Sequence, residues 1–255
     1  MKPSDSFEEF IELISVLRKE CPWDRKQTHE SIRNNLIEEA YEAVDAIDEK
    51  NMDELSRELG DLLLHIVFQS QIASETESFT IRDVIYNISE KLIRRHPHVF
   101  ANSEVKNDRQ VATNWETIKL KEGKDSVLDG LPKHLPELIK AQRMQEKAAN
   151  VGFDWAEWQL AWEKLNEEID EWRVSVKEQS ETEQAEEFGD LLFSLINVGR
   201  LLNINANDAL KQASKKFEQR FKFIESRLRD HGKKITESNL QEMDSYWNEA
   251  KKNGL

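Results

Sequence analysis

The sequence predicts an all-α protein built as two tandem helical bundles, and three observations carry that prediction. No stretch of useful length alternates apolar and polar residues in the manner of a half-buried strand. The 255 residues are 34% charged and include only 8 Gly and 5 Pro, a composition suited to long amphipathic helices. An acidic pattern also occurs twice. Glu38-Glu39-Ala40-Tyr41-Glu42 leads to Glu58-Leu59-Gly60-Asp61, and Glu167-Glu168-Ile169-Asp170-Glu171 leads to Glu186-Glu187-Phe188-Gly189-Asp190, every matched position shifted by 129 residues. Lys91 and Arg95 find counterparts in Lys216 and Arg220 at a shift of 125. A repeat of that length means two copies of one structural unit.

Taken in order, Ser6-Phe7-Glu8-Glu9 predicts a capped helix running to about Glu20, which Pro22 ends. A second helix is expected over roughly 28–50, and the turn Asn51-Met52-Asp53 leads into a third capped by Asp53. That third helix places Leu55, Leu59, Leu62, Leu63, Ile66 and Val67 on one apolar stripe, and Gly60 within it marks close packing or ligand approach. Thr80 to Asp83 caps a fourth helix, stopped at Pro97, and residues 108 to about 120 complete the first copy with Trp115. Residues 1–120 therefore form a first domain, 121–136 a linker broken by Gly123, Gly130, Pro132 and Pro136, and 137–255 a second domain. A helix over about 137–150 leads to Phe153-Asp154, the counterpart of Trp23-Asp24, and Trp155, Trp158, Trp162 and Trp172 read mostly as core or bundle-interface residues. Asn207-Asp208 caps a helix that Gly232 ends, and residues 238–252 close the chain with Trp247 in the place of Trp115.

Composition narrows the partners. A net charge of −14 argues against nucleic acid, whose binding needs clustered Lys and Arg. One Cys cannot form an intramolecular disulfide, the charged start lacks an apolar signal segment, and no apolar run is long enough for a membrane span. These features predict a soluble cytoplasmic protein.

The chemistry lies in the repeated acids. Glu168 and Glu171 are spaced i, i+3, as are Glu187 and Asp190, so each pair shares one helical face. Ser175, Ser180 and Thr182 between them suit a reversal, and antiparallel helices would converge four carboxylates. Such a group repels itself unless cations neutralise it, and oxygen-only donors suit Mg²⁺ or Mn²⁺. Glu39, Glu42, Glu58 and Asp61 form a second set of the same kind. No Glu-x-x-His occurs, which weakens di-iron and zinc-protease readings. Lys216 and Arg220, one turn apart, suit an anion, and Trp247 suits either core or a stacked base.

Glu-Glu-x-x-Glu, a spacer and Glu-x-x-Asp resemble the signature of the MazG-type, all-α nucleoside triphosphate pyrophosphohydrolases. Cys21-Pro22-Trp23-Asp24, Arg94-Arg95-His96-Pro97-His98-Val99-Phe100 and Asn150-Val151-Gly152-Phe153-Asp154-Trp155 extend the resemblance over nearly the whole chain. The resemblance implies hydrolysis of ribo- and deoxyribonucleoside triphosphates, ATP among them, to monophosphate and pyrophosphate by an Mg²⁺-dependent homodimer. It implies that Glu168, Glu171, Glu187 and Asp190 ligate metal, that Lys216 and Arg220 hold phosphates and that Trp247 contacts the nucleotide. Lys164, Glu167, Glu183 and Glu186 flank these positions and would line the nucleotide pocket. The C-terminal copy is expected to be the catalytic one. Two alternatives stay open: a non-catalytic dimeric scaffold with a structural metal, and a narrow enzyme resembling dUTPases.

Overall fold

The structure, a computed structural model, describes residues 5–101, 107–123, 125–178 and 180–255. The first four residues and Gln179 of the predicted reversal lie outside them. Every regular element among the described residues is helical, and none of the helices is long and apolar enough to cross a membrane. The chain forms two compact units, residues 1–104 and 105–255.

In the first unit, α1 (Phe7–Glu20) is capped by Ser6, whose hydroxyl accepts from the Glu9 N–H at 3.3 Å. The next α-helix, α2 (Arg33–Asp48), begins later than periodicity predicts. Thr28 and Ser31 exchange side-chain and backbone hydrogen bonds of 2.9 and 3.2 Å, and so hold residues 28–31 in a turn. Asn51, rather than Asp53, caps α3 (Met52–Ser74) by accepting from the Glu54 N–H at 3.1 Å. Thr80 and Asp83 form the capping box of α4 (Ile81–Arg95), and Pro97 opens the single turn α5 (Pro97–Phe100).

α3 is the element that α1, α2 and α4 share. Its core face is Val67, Phe68 and Ile72, packed with Ile14 and Ile32, with Leu64 beside them. The predicted stripe therefore splits, because Leu59, Leu63 and Ile66 remain exposed. Gly60 does not mark close packing within the chain, since a Cβ there would meet no atom within 4 Å.

In the second unit, α6 (Asp108–Lys121) packs on α7 (Glu137–Asn150), so the helix carrying Trp115 groups by contact with the second unit. α8 (Trp158–Glu178) and α9 (Glu181–Leu201) form a tight hairpin around Ala161, Leu165 and Val198. α7 and α10 (Ala206–Asp230) also contact α9, and α11 (Leu240–Lys252) packs along α10. Asn205 caps α10 by accepting from the N–H groups of Asn207 and Asp208, displacing the predicted cap by two residues. Gly232, at φ +68°, follows the helix end as expected. Trp155, Trp158 and Trp162 are substantially exposed, so of the two places expected for them, core or bundle interface, the core of this chain is not theirs.

Candidate metal centre

The hairpin α8–α9 exists because Ser180 starts the second helix immediately after the reversal. Its hydroxyl accepts from the Glu183 N–H, and the Glu183 carboxylate accepts from the Ser180 N–H at 2.9 Å. The Ser180 hydroxyl also donates to that carboxylate at 2.7 Å, and this bond together with the one from the Ser180 N–H holds the Glu183 carboxyl below its ordinary range. Glu183 is thus occupied at the cap, the one place where a line of the predicted pocket has a structural duty.

The apolar seam of Leu165, Ile169, Leu191 and Val198 fixes the register of the two helices. That register brings carboxylate oxygens of Glu168, Glu171 and Glu187 within 4.8 Å of one another. Glu168 is only 6% exposed, Glu187 is half-buried and Glu171 is open. Asp190, expected as the fourth member, is exposed and stands outside the converging group. Desolvation pushes the Glu171 carboxyl up, and the charges of Glu168, Glu167 and Glu187 push it in the same direction against Lys164.

Lys164 anchors this arrangement. Its ammonium lies 2.8 Å from Glu167 and 2.9 Å from Glu168, and these two hydrogen bonds raise its pKa further. Arg173, which the sequence sets next to the claw, instead pairs with Asp170 at 3.1 Å on the exposed side of α8. Trp172 packs against Phe188 with ring centroids 5.6 Å apart.

The first unit assembles its own group from α2 and α3: Glu39, Glu58 and Asp61, again within 4.8 Å, with Glu42 outside. Glu58 is 8% exposed. Burial pushes its carboxyl up to about 7, aided by hydrogen bonds to the carboxyls of Glu54 and Glu42 and by their charge. Desolvation and the charges of Asp61 and Glu42 raise Glu39 as well. The His65 Nε2 lies 3.9 Å from the Glu39 carboxylate. Sequence reasoning passed over His65 and Glu54, although Glu54 and Glu58 are spaced i, i+4 on one face, as are Asp61 and His65.

Both groups fit a hard divalent cation. Every donor is a carboxylate oxygen and the donors already converge within 4.8 Å of one another.

The predicted phosphate side is built on α10 and α11. Arg220 donates through Nε to the Leu255 carbonyl at 2.8 Å, and its guanidinium sits 5.2 Å from the Trp247 ring centroid. Phe217 lies against both Trp247 and Phe221. Lys216 is exposed and makes no ion pair among the described residues. The structure therefore unites Arg220 with Trp247 and shows no contact between either of them and the carboxylates. Glu167 and Glu186 are exposed beside the claw.

The duplicated acidic hairpin has a counterpart among known families. The model of the MazG nucleotide pyrophosphohydrolase domain matches residues 27–100 and 158–224, one segment in each unit and each containing one complete set of four acids. The chain belongs to the MazG family. It is 46% identical over 250 residues to the nucleoside triphosphate pyrophosphohydrolase/pyrophosphatase MazG of Thermotoga maritima, covering 96% of this chain and 95% of that one. It is 42% identical over 240 residues to the nucleoside triphosphate pyrophosphohydrolase of Escherichia coli K12, covering 91% and 90%. A third relative, the uncharacterized protein YabN of Bacillus subtilis, is 44% identical over 254 residues, which are 96% of this chain and 52% of that protein. The matched segments begin after α1 and omit α7, so these two helices lie outside them.

Proposed function

We propose that this MazG protein hydrolyses nucleoside triphosphates, ribo- and deoxyribo-, to the monophosphate and pyrophosphate, clearing unwanted nucleotides from the pool. The observation that carries the reading is the convergence of Glu168, Glu171 and Glu187 on one seam of a MazG-family hairpin. Those three residues, with Asp190 one turn along α9, would hold Mg²⁺ or Mn²⁺. The bound ions would supply Lewis-acid polarisation of phosphate oxygens and an acidified water.

The chain's own groups divide the remaining work. Lys164 orients the buried Glu168 carboxylate, and Glu167, Glu183 and Glu186 line the approach. Lys216 and Arg220 add fixed positive charge where the transition state of phosphoryl chemistry spreads its negative charge. Arg220 is already stacked on Trp247, so the indole face that would meet a base is presented by the same cation. Glu39, Glu42, Glu58 and Asp61 form a lower-activity or structural second site. The domain division at 1–120, 121–136 and 137–255, with catalysis in the last, belongs to the same reading.

A homodimer suits the apolar residues that each hairpin leaves uncovered, Leu59, Leu63 and Ile66 on one and Phe188, Leu192 and Leu195 on the other. We assign the protein to the cytoplasm on its single Cys and acidic composition. Pyrophosphate release measured over a panel of ribo- and deoxyribonucleoside triphosphates, with Mg²⁺ and with excess chelator, tests the proposal. Turnover that persists in chelator removes the metal assignment, and the absence of turnover on every nucleotide favours the scaffold reading.

A further inference from the structure

α11 ends in a turn that its sequence dictates. Gly254, at φ +81°, takes the left-handed position that follows the Asn253 cap, a conformation glycine adopts without a Cβ clash. The Gly254 N–H donates to the Lys251 carbonyl at 3.2 Å, and the Leu255 N–H reaches back to the Ala250 carbonyl at 3.1 Å. That pair of bonds is the Schellman arrangement, and it folds the backbone back against the helix. Ala250 is fully buried, so the turn is anchored at its root. The reversal brings the Leu255 carbonyl to α10, where it accepts from Arg220 Nε at 2.8 Å.

This bond fixes a side chain that would otherwise turn freely. A guanidinium carries its N–H donors in a rigid planar fork. Nε holds the carbonyl, and Cζ sits 5.2 Å from the Trp247 ring centroid. Neither Nη nitrogen makes a hydrogen bond or an ion pair among the described residues. With Nε taken, the edge left for a bidentate partner is the one formed by Nη1 and Nη2, which matches two phosphate oxygens. The same turn of α11 adds a second cation, since Lys251 Nζ lies 6.0 Å from the Trp247 centroid. Neither Arg220 nor Lys251 pairs with an Asp or Glu among the described residues, so their charge is open to an anion.

We propose that the Leu255 main-chain carbonyl is a positioning group of the nucleotide site: it holds Arg220 by Nε and so presents the Nη1–Nη2 fork to the polyphosphate of the substrate. This role rests on the proposed function of Arg220 as a phosphate-binding residue and adds what fixes its geometry. A long cationic side chain loses rotamer freedom when it engages an anion, and a guanidinium held in place beforehand loses less on binding. Gly254 acts at one further remove, because a left-handed residue at 254 is what carries the Leu255 carbonyl to Arg220. A plain structural latch between α10 and α11 would use the same bond. The two roles differ in what the turn does once the guanidinium is gone.

Titration calorimetry of the full-length protein with a non-hydrolysable adenosine triphosphate analogue and Mg²⁺ tests this in a double-mutant cycle. Arg220→Ala should weaken binding by about tenfold or more. Gly254→Val places a β-branched residue where φ is +81°, and should weaken binding by about three- to tenfold with helix content unchanged. In the Arg220→Ala background the same Gly254→Val change should cost nothing further, because the carbonyl then has no guanidinium to hold. Gly254→Asn, which tolerates the left-handed position, should recover most of the loss. Equal losses from Gly254→Val in both backgrounds would make the turn a structural latch and overturn the positioning role, leaving Arg220 its phosphate. Wild-type affinity in Gly254→Val would overturn it in the same way. Wild-type affinity in Arg220→Ala would instead remove the phosphate-binding reading of Arg220, and the positioning role with it.

Discussion

In the first unit the converging carboxylates are one residue of α2 and two of α3, whereas in the second they are two residues of α8 and one of α9. The eight acids are related one to one by a shift of 129 residues, so the difference arises from what surrounds them. At the position of Lys164 the first copy has Asn35, and at the position of Ser194 it has His65. Lys164 holds Glu168 at 2.9 Å, and Glu168 and Glu171 together complete the second group with Glu187. With no ammonium at Asn35, Glu39 leans toward Asp61 and His65, while Glu58 and Glu42 share hydrogen bonds between carboxyls. One copy thus holds its buried Glu168 against a fixed cation, whereas the other carries its most strongly raised carboxyl at the buried Glu58. We expect the flanking side chain, Lys164 in one copy and Asn35 in the other, to set this difference.

The largest effect should come from breaking one claw at a time. Glu171→Gln removes the open donor of the second group and should lower pyrophosphate release by roughly a hundredfold or more, equivalent to about 3 kcal/mol of transition-state stabilisation. Glu42→Gln, at the matching position of the first copy, should leave turnover within about threefold of wild type. Steady-state pyrophosphate assays on both full-length variants decide the matter, with far-ultraviolet circular dichroism to check the helices. A dead Glu42→Gln beside a nearly normal Glu171→Gln would reverse the assignment of the catalytic copy.

Next in size is the pH dependence of the first unit. The Glu58 carboxyl rises from about 4.5 to about 7 on folding, so the folded chain binds the extra proton between those values. Its contribution is fully present below pH 4.5 and is lost as pH rises through 7. Metal-free protein should therefore lose thermal stability between pH 5 and pH 8, and Glu58→Gln should flatten that part of the profile. Mg²⁺ at pH 8 should restore stability to the wild type, because a bound cation replaces the proton as the neutralising charge. Asn35→Lys sharpens the same comparison: it should lower the raised Glu39 carboxyl, as followed by carbon-detected NMR titration. A Glu39 titration unmoved by the new lysine would mean that position 35 does not set the protonation state.

These contrasts also show what the sequence could and could not reveal. The ends of α1, α4 and α7 and the pairing of the two acidic segments were legible, since caps, proline stops and i, i+3 spacing act locally, whereas the extra turn α5 that Pro97 opens was not. The all-α class and the twofold repeat were legible too. The later start of α2 was hidden because Thr28 and Ser31 satisfy each other's N–H groups instead of opening the helix. Which three of the four acids converge depends on how α2 meets α3 and α8 meets α9, and on local partners such as Lys164, which pairs with Glu168 one turn along α8. The i, i+3 spacing of the acids carries no such information. Nor does spacing distinguish the core face of α3, with Val67 and Phe68, from its uncovered face, with Leu59 and Leu63. The hydrogen bond from Gln145 to the Phe193 carbonyl was illegible for the same reason, since the two residues stand 48 apart in sequence on different helices.

The smallest effect, and the one that probes the outer surface of both hairpins, concerns their matching glycines. Gly60 and Gly189 each sit in the middle of a helix beside a claw acid, and a Cβ at either would meet no atom within 4 Å. Neither packing nor backbone conformation within the chain requires glycine there, and in a helix interior it costs about 1 kcal/mol relative to alanine. Gly60→Ala and Gly189→Ala should therefore each stabilise the protein by up to about 1 kcal/mol, which is worth a few degrees in melting temperature. Their effects on turnover should part company. If substrate approaches the second claw over α9, the new methyl at 189 stands in its path and should raise KM several-fold despite the higher stability, whereas the methyl at 60 should leave KM unchanged. Paired melting curves and nucleotide titrations of the two variants measure this directly. Equal KM in both would show that nothing comes close to α9 at Gly189, and the glycine would then remain without a structural reason in either copy.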